Sequence, residues 1–150
     1  MSRTFTITFN APCAWLTANI ELHRRVRSER VKEWRGAALT ACRAAKLPTG
    51  VTPVRIFLLV EYATRAAPVR DRLNLANTVK AVVDALGPSR KWKRKGVTHV
   101  TLGYGLLPDD SDKHVLDTDW AIVRMTETER AAHAPGYLGR VTVTITEVAS

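Results

Sequence analysis

The sequence predicts an α+β fold, a mixed β-sheet with two main helices packed on one face. Three observations point there. Residues Thr4 to Phe9 and Arg140 to Val148, near the two ends of the chain, alternate apolar residues with threonines at a period of two. Residues Val54 to Tyr62 form a near-continuous apolar run, the mark of a central strand. Two longer segments repeat apolar residues at helical spacing. A length of 150 residues with 45% hydrophobic content suits one domain over residues 1–150. A chain of that size buries roughly 70% of its unfolded surface.

Taken in order, Phe5, Ile7 and Phe9 give the first strand its buried side, with Thr4, Thr6 and Thr8 opposite. Ala11 to Arg27 reads as an irregular, strongly basic segment. Ser28 can cap a first helix running to about Leu47, with Val31, Trp34, Ala38, Leu39, Ala41, Cys42 and Ala45 as its apolar stripe. Pro48 and Gly50 stop it, and Trp34 belongs to the core. The Val54 to Tyr62 strand follows, then a loop, then a second helix from about Arg72 to Leu86. Leu75, Val79, Val82, Val83 and Leu86 share one face of that helix, and Gly87-Pro88 ends it. The stretch SRKWKRKG is too charged to pack and reads as an exposed loop, with a strand possible near Val97 to Gly103. A turn at LLPDDSDKHV feeds a strand from about Val115 to Met125, a polar excursion follows, and the threonine-rich strand closes the chain.

Charge narrows the partners. The chain carries 23 Lys+Arg against 14 Asp+Glu, a formal net charge of +9. Such an excess favours a polyanion, because each cation seated on a phosphate releases condensed counterions. Cys13 and Cys42 lie in apolar surroundings without zinc-ligand spacing, so buried thiols are expected. No signal-peptide core or run of 18 apolar residues occurs, and a cytoplasmic protein without membrane segments or organic cofactor is expected.

The chemistry-bearing residues cluster in RDRLNLANTVKAVVDAL (Arg70 to Leu86) and in the later LPDD. Asp71 stands where a basic loop meets a helix start, Lys80 lies on that helix, and Asp109 and Asp110 sit in a tight turn. Convergent carboxylates bind hard divalent cations such as Mg²⁺, or Mn²⁺ in its place. A nearby lysine can neutralise charge building on a phosphate. Asp71 is equally well placed as a helix cap, and Pro-Asp-Asp is also good turn chemistry.

The block R-D-x-x-N-L-x-x-T-V-K-A-x-x-D-x-L resembles the signature of RusA-type Holliday-junction resolvases. Leu107 to Val115 (LPDDSDKHV) resembles that family's second acidic motif. Trp15 to Asn19 (WLTAN), with the basic stretch and Trp34 helix beyond it, is similar to the family's N-terminal region, and RVTVTITE fits its last strand. The resemblance implies a Mg²⁺-dependent endodeoxyribonuclease that cuts branched DNA as a C2 homodimer. It implies Asp71 and Asp110 as metal ligands and catalytic residues, Asp109 beside them, and Lys80 as the catalytic lysine. Asn74 matches the family's asparagine. Leu73 stands where the family commonly has a second aspartate, and Lys80 lies further from the asparagine than is usual. A third metal ligand would then come from Asp109, Asp112 or Glu61. A substituted, inactive site would instead leave a branched-DNA- or RNA-binding protein.

Two basic segments complete the expected interface. Arg90, Lys91, Lys93, Arg94 and Lys95 surround Trp92, whose indole can stack on an unpaired base or pack back on the body. Arg24, Arg25 and Arg27, with His23, make a second patch, and Arg70 joins them as a DNA-binding candidate. His114 beside the acidic turn either touches substrate or is merely exposed.

Overall fold

A computed structural model describes residues 2–17, 23–63, 72–109 and 113–148. Its elements run β1 (Thr4–Asn10), α1 (Arg24–Ala45), β2 (Val54–Tyr62), a 3-10 turn (Arg72–Leu75), α2 (Ala76–Leu86), β3 (Arg90–Arg94), β4 (Val97–Thr101), β5 (Val115–Arg124), α3 (Glu127–Ala131) and β6 (Gly139–Glu147). Four strands form a sheet in the order β1-β6-β2-β5, and β3 and β4 form a separate two-stranded sheet. β6 is antiparallel to both β1 and β2, whereas β5 runs parallel to β2, so the sheet is mixed as expected.

Period-two patterning sets the sheet's two faces. Ile7, Val54, Ile56, Leu58, Val60, Val141, Val143 and Ile145 are buried on the helix-facing side and share one core with α1 and α2. The opposite face carries Thr4, Thr6 and Thr8 in register with Thr146, Thr144 and Thr142. Trp34 and Val82 are both fully buried at 0% exposure. Burying a Val or Leu side chain contributes about 1.5–3 kcal/mol.

The segment after β1 is fastened to both helices. Trp34 Nε1 donates to the Ala14 carbonyl at 3.1 Å, and the Trp15 and Trp34 rings lie 4.9 Å apart. Thr78, wholly buried on α2, accepts from the Leu16 amide at 2.9 Å and donates to the Leu16 carbonyl at 3.0 Å. The threonine thus satisfies two backbone groups that burial would otherwise leave unpaired.

Helix α1 starts a turn earlier than expected. Ser28 lies inside it, and His23 is the cap, its Nδ1 accepting from the Arg25 amide at 3.3 Å. Arg24, Arg25 and Arg27 are therefore helical rather than irregular. At the other end Lys46 takes a left-handed conformation, and the Lys46 and Leu47 amides bond the Arg43 and Cys42 carbonyls. The polar excursion holds the short α3, whose Thr126 and Glu129 form a reciprocal capping box.

The stretch expected as a charged loop is a β-hairpin. Arg90 to Arg94 pairs antiparallel with Val97 to Thr101. The turn is Lys95-Gly96, with φ of 51° and 76°, the two positive angles that match a tight turn to strand twist. High charge kept these residues out of the core but did not prevent pairing. The base of the hairpin is fixed to the end of α2. Ser89 Oγ bonds both the amide and the carbonyl of Gly103, and a Cβ at Gly103 would fall 2.2 Å from the Gly87 carbonyl oxygen. Only glycine allows that approach. No helix among the described residues is long and apolar enough to cross a membrane.

Candidate nucleic-acid interface

Three of the candidates, Lys80, Arg90 and Trp92, meet where the hairpin leans towards α1 and α2. A cavity of about 390 Å³ is lined by Arg35 of α1, Lys80 and Asp84 of α2, Pro88, and Arg90, Trp92 and Thr101 of the hairpin. Asp84 holds two of its cations: Lys80 Nζ lies 3.1 Å and Arg35 Nη1 3.8 Å from Asp84 Oδ2. Arg35 also donates to the Leu102 carbonyl at 3.2 Å and so ties α1 to the hairpin. Lys80 is exposed, on the wet side of the helix whose other side carries Val79 and Val82.

Trp92 does not pack back into the core; it is 46% exposed. One ring face stacks on His99, its cross-strand partner, at 4.3 Å, and Nε1 donates to Thr101 Oγ1 at 3.3 Å. On the α1 side Trp92 lines a second cavity of about 430 Å³ with Val31, Leu39, Val100 and Leu102. Ser28 and Lys32 line that cavity too, so the hairpin faces the N-terminal half of α1. Arg24, Arg25 and Arg27, all exposed, occupy the turn just before Ser28. The two basic patches named from sequence therefore flank one junction. Lys91, Lys93, Arg94 and Lys95 are exposed on the hairpin. The first turn of α1 holds no acidic residue. Three arginines at the positive end of a helix dipole oppose the usual preference and increase the local attraction for anions.

The acidic candidates divide differently. Asp71, Asp110 and Asp112, together with Arg70, lie outside the described residues. Asp109 is exposed, with Oδ2 3.1 Å from His114 Nε2. Glu61 is engaged elsewhere: Arg140 Nε and Nη2 reach its two carboxylate oxygens at 2.8 and 3.0 Å. Those charged hydrogen bonds hold its pKa below the ordinary glutamate range, with burial opposing more weakly. Leu73, where the resemblance would expect a carboxylate, is 60% exposed. Among the described residues no group of three His, Cys, Asp or Glu side chains could hold a metal ion. A Mg²⁺ site consequently does not fit the described residues alone, and Glu61 would have to share oxygens that already accept from Arg140.

Several residues escaped the sequence reading. Arg72 pairs with Asp119, donates to the Trp120 carbonyl at 3.3 Å and lies over the Trp120 ring at 4.3 Å. Trp120 Nε1 returns a bond to the Arg72 carbonyl at 2.6 Å. This cluster anchors the start of the 3-10 turn, one residue after Asp71, on the free side of edge strand β5. The sequence signal was the spacing in Asp117-Thr118-Asp119-Trp120, an acidic alternation in a strand. His114 is not simply exposed: Thr52 Oγ1 holds its Nδ1 at 2.6 Å, and its side chain is mostly buried.

Both cysteines are free. Burial pushes the Cys42 thiol up to about 11, and burial together with Glu33 pushes Cys13 up to about 12. Thiols so shifted are poor nucleophiles at neutral pH. No protein-family model matches this chain, and no curated protein matches it significantly.

Proposed function

We propose that this protein is a metal-dependent endodeoxyribonuclease of the RusA type, acting on Holliday junctions or other branched DNA. The observation that carries the reading is the shared cavity: Lys80, named from the signature block, lines it with Arg90 and Trp92 of the basic hairpin. A lysine expected at the scissile phosphate and cations expected on the DNA backbone thus lie at one junction. Asp71 and Asp110, with Asp109 beside them, would hold Mg²⁺ or Mn²⁺, which when bound supplies an activated water and polarises the phosphate. Lys80 would neutralise charge on the phosphate, and Arg24, Arg25, Arg27 and Arg70 would hold the arms of the DNA. Symmetric cutting of a four-way junction calls for two such sites, hence a homodimer.

The test is a synthetic four-way junction incubated with Mg²⁺ or with EDTA. Asp71→Asn and Asp110→Asn should abolish cleavage while leaving binding in EDTA largely intact. Full cleavage by both variants removes the site assignment. A second reading, a non-catalytic DNA- or RNA-binding protein, is favoured by one observation. Leu73 is exposed where the resemblance would expect a carboxylate, and the Glu61 oxygens already accept from Arg140. It expects salt-sensitive binding with no nicking under any divalent cation.

A further inference from the structure

We propose that the junction between the hairpin and the two helices is a pocket for one unpaired nucleotide, which deepens the nucleic-acid reading above and rests on it. Two cavities, of about 390 and 430 Å³, share Arg35, Trp92 and Thr101 as a common wall. The first is the more polar and the second the more apolar. Among the described residues the first presents Lys80, Arg90 and Arg35 together with the Asp84 carboxylate, so cations outnumber anions in its lining. The second is lined mainly by the apolar side chains of Val31, Leu39, Val100 and Leu102, with Ser28 and Lys32 beside them. A nucleotide has the same division, a charged phosphate and a flat, weakly hydrated base. Each cavity has room for its half.

A paired base is excluded from such a slot, because its ring is stacked within the helix and its edge is occupied. A base at a branch point, flap or single strand is free to enter. Trp92 is built to receive it. His99 supports the indole from one side, and the ring remains 46% exposed. Aromatic side chains recognise unpaired bases by their π-faces without reading sequence. Arg35, held by the Asp84 carboxylate and the Leu102 carbonyl, can meet the phosphate without first being ordered. The pocket would supply preference for unpaired over paired DNA, a selectivity that backbone cations alone do not provide.

The experiment is run in EDTA on the full chain, with a short single-stranded deoxyoligonucleotide, a blunt duplex and a four-way junction as probes. Trp15 and Trp34 are buried and Trp120 is half-buried under Arg72, so the share of oligonucleotide quenching that is lost in a Trp92 variant reports on that indole. Trp92→Thr, which keeps a strand-favouring residue, should weaken single-strand binding about tenfold and duplex binding less than threefold. Trp92→Tyr, which keeps an aromatic ring against His99, should keep most of the affinity, and the melting temperature, set by the core, should be unchanged in both variants. Equal losses on single strand and duplex, or none on the single strand, would overturn the pocket. Because no cleavage is measured, an inactive metal site leaves this result intact; a chain that binds a four-way junction but not the single strand overturns the pocket alone, whereas one that binds none of the three sinks the nucleic-acid reading itself.

Discussion

Helix α2 and the β3–β4 hairpin are neighbours in sequence, separated by only Gly87 to Ser89, yet different forces hold them. On α2, Thr78, Val79, Ala81, Val82, Ala85 and Leu86 are buried, and the helix is part of the core. On the hairpin every residue from Arg90 to Val100 is exposed. Its order comes from ladder bonds, a two-residue turn, the Trp92–His99 stack and a base fixed to α2. Isolated two-stranded hairpins are marginal in water. The contrast teaches that one element contributes stability to the fold, while the other takes stability from it and presents charge.

Breaking the helix side should have the largest effect. Leu86 is fully buried at the end of α2, and its carbonyl accepts from the Leu107 amide at 3.1 Å. Leu86→Ala should lower unfolding free energy by about 2–5 kcal/mol, since a cavity adds to the lost burial. Urea unfolding measures it. A loss under about 1 kcal/mol would mean that the end of α2 does not hold the core.

A middle-sized effect is expected where α2 meets the N-terminal segment. Thr78→Val keeps the shape but leaves the Leu16 amide and carbonyl without their partner. The cost should be about 1–3 kcal/mol. Thr78→Ser, which restores the hydroxyl, should recover most of it. Equal losses in both variants would assign the effect to the methyl group instead.

The same contrast explains what could be read from the sequence. Elements with one wet and one dry side announce themselves: β1 and β6 through Thr-apolar alternation, α2 through Leu75, Val79, Val82 and Leu86. β2 was legible by its apolar run and lies inside the sheet between β6 and β5, although Arg55 and Phe57 on its other face are exposed. The hairpin is wet on both faces, so no hydrophobic period marks it, and only Lys95-Gly96 signals its turn. The α1 start was misjudged because Ser28 is the better intrinsic cap, while His23 does the capping from a turn earlier. Lys80, Arg90 and Trp92 were legible as candidates from residue type. Arg35 and Asp84 were not, because their pairing joins two helices far apart in sequence and leaves no local pattern. The same holds for Arg72 with Asp119.

The smallest expected effect on stability is also the sharpest separation of the two regions. Lys91 and Lys93 lie on the hairpin face opposite Trp92 and are fully solvated. Replacing both with Gln removes two charges without disturbing any core contact, so unfolding free energy should change by no more than about 0.5 kcal/mol. Binding should respond through salt. Each phosphate contact contributes roughly 0.9 to the slope of log affinity against log salt concentration on duplex DNA. The double variant should therefore flatten that slope by about two, measured by fluorescence anisotropy over a salt series. An unchanged slope would put Lys91 and Lys93 off the DNA, leaving the Arg90–Trp92–Arg94 face as the contact surface. A large stability loss would instead make the hairpin a structural element, and the division between the two regions would fail.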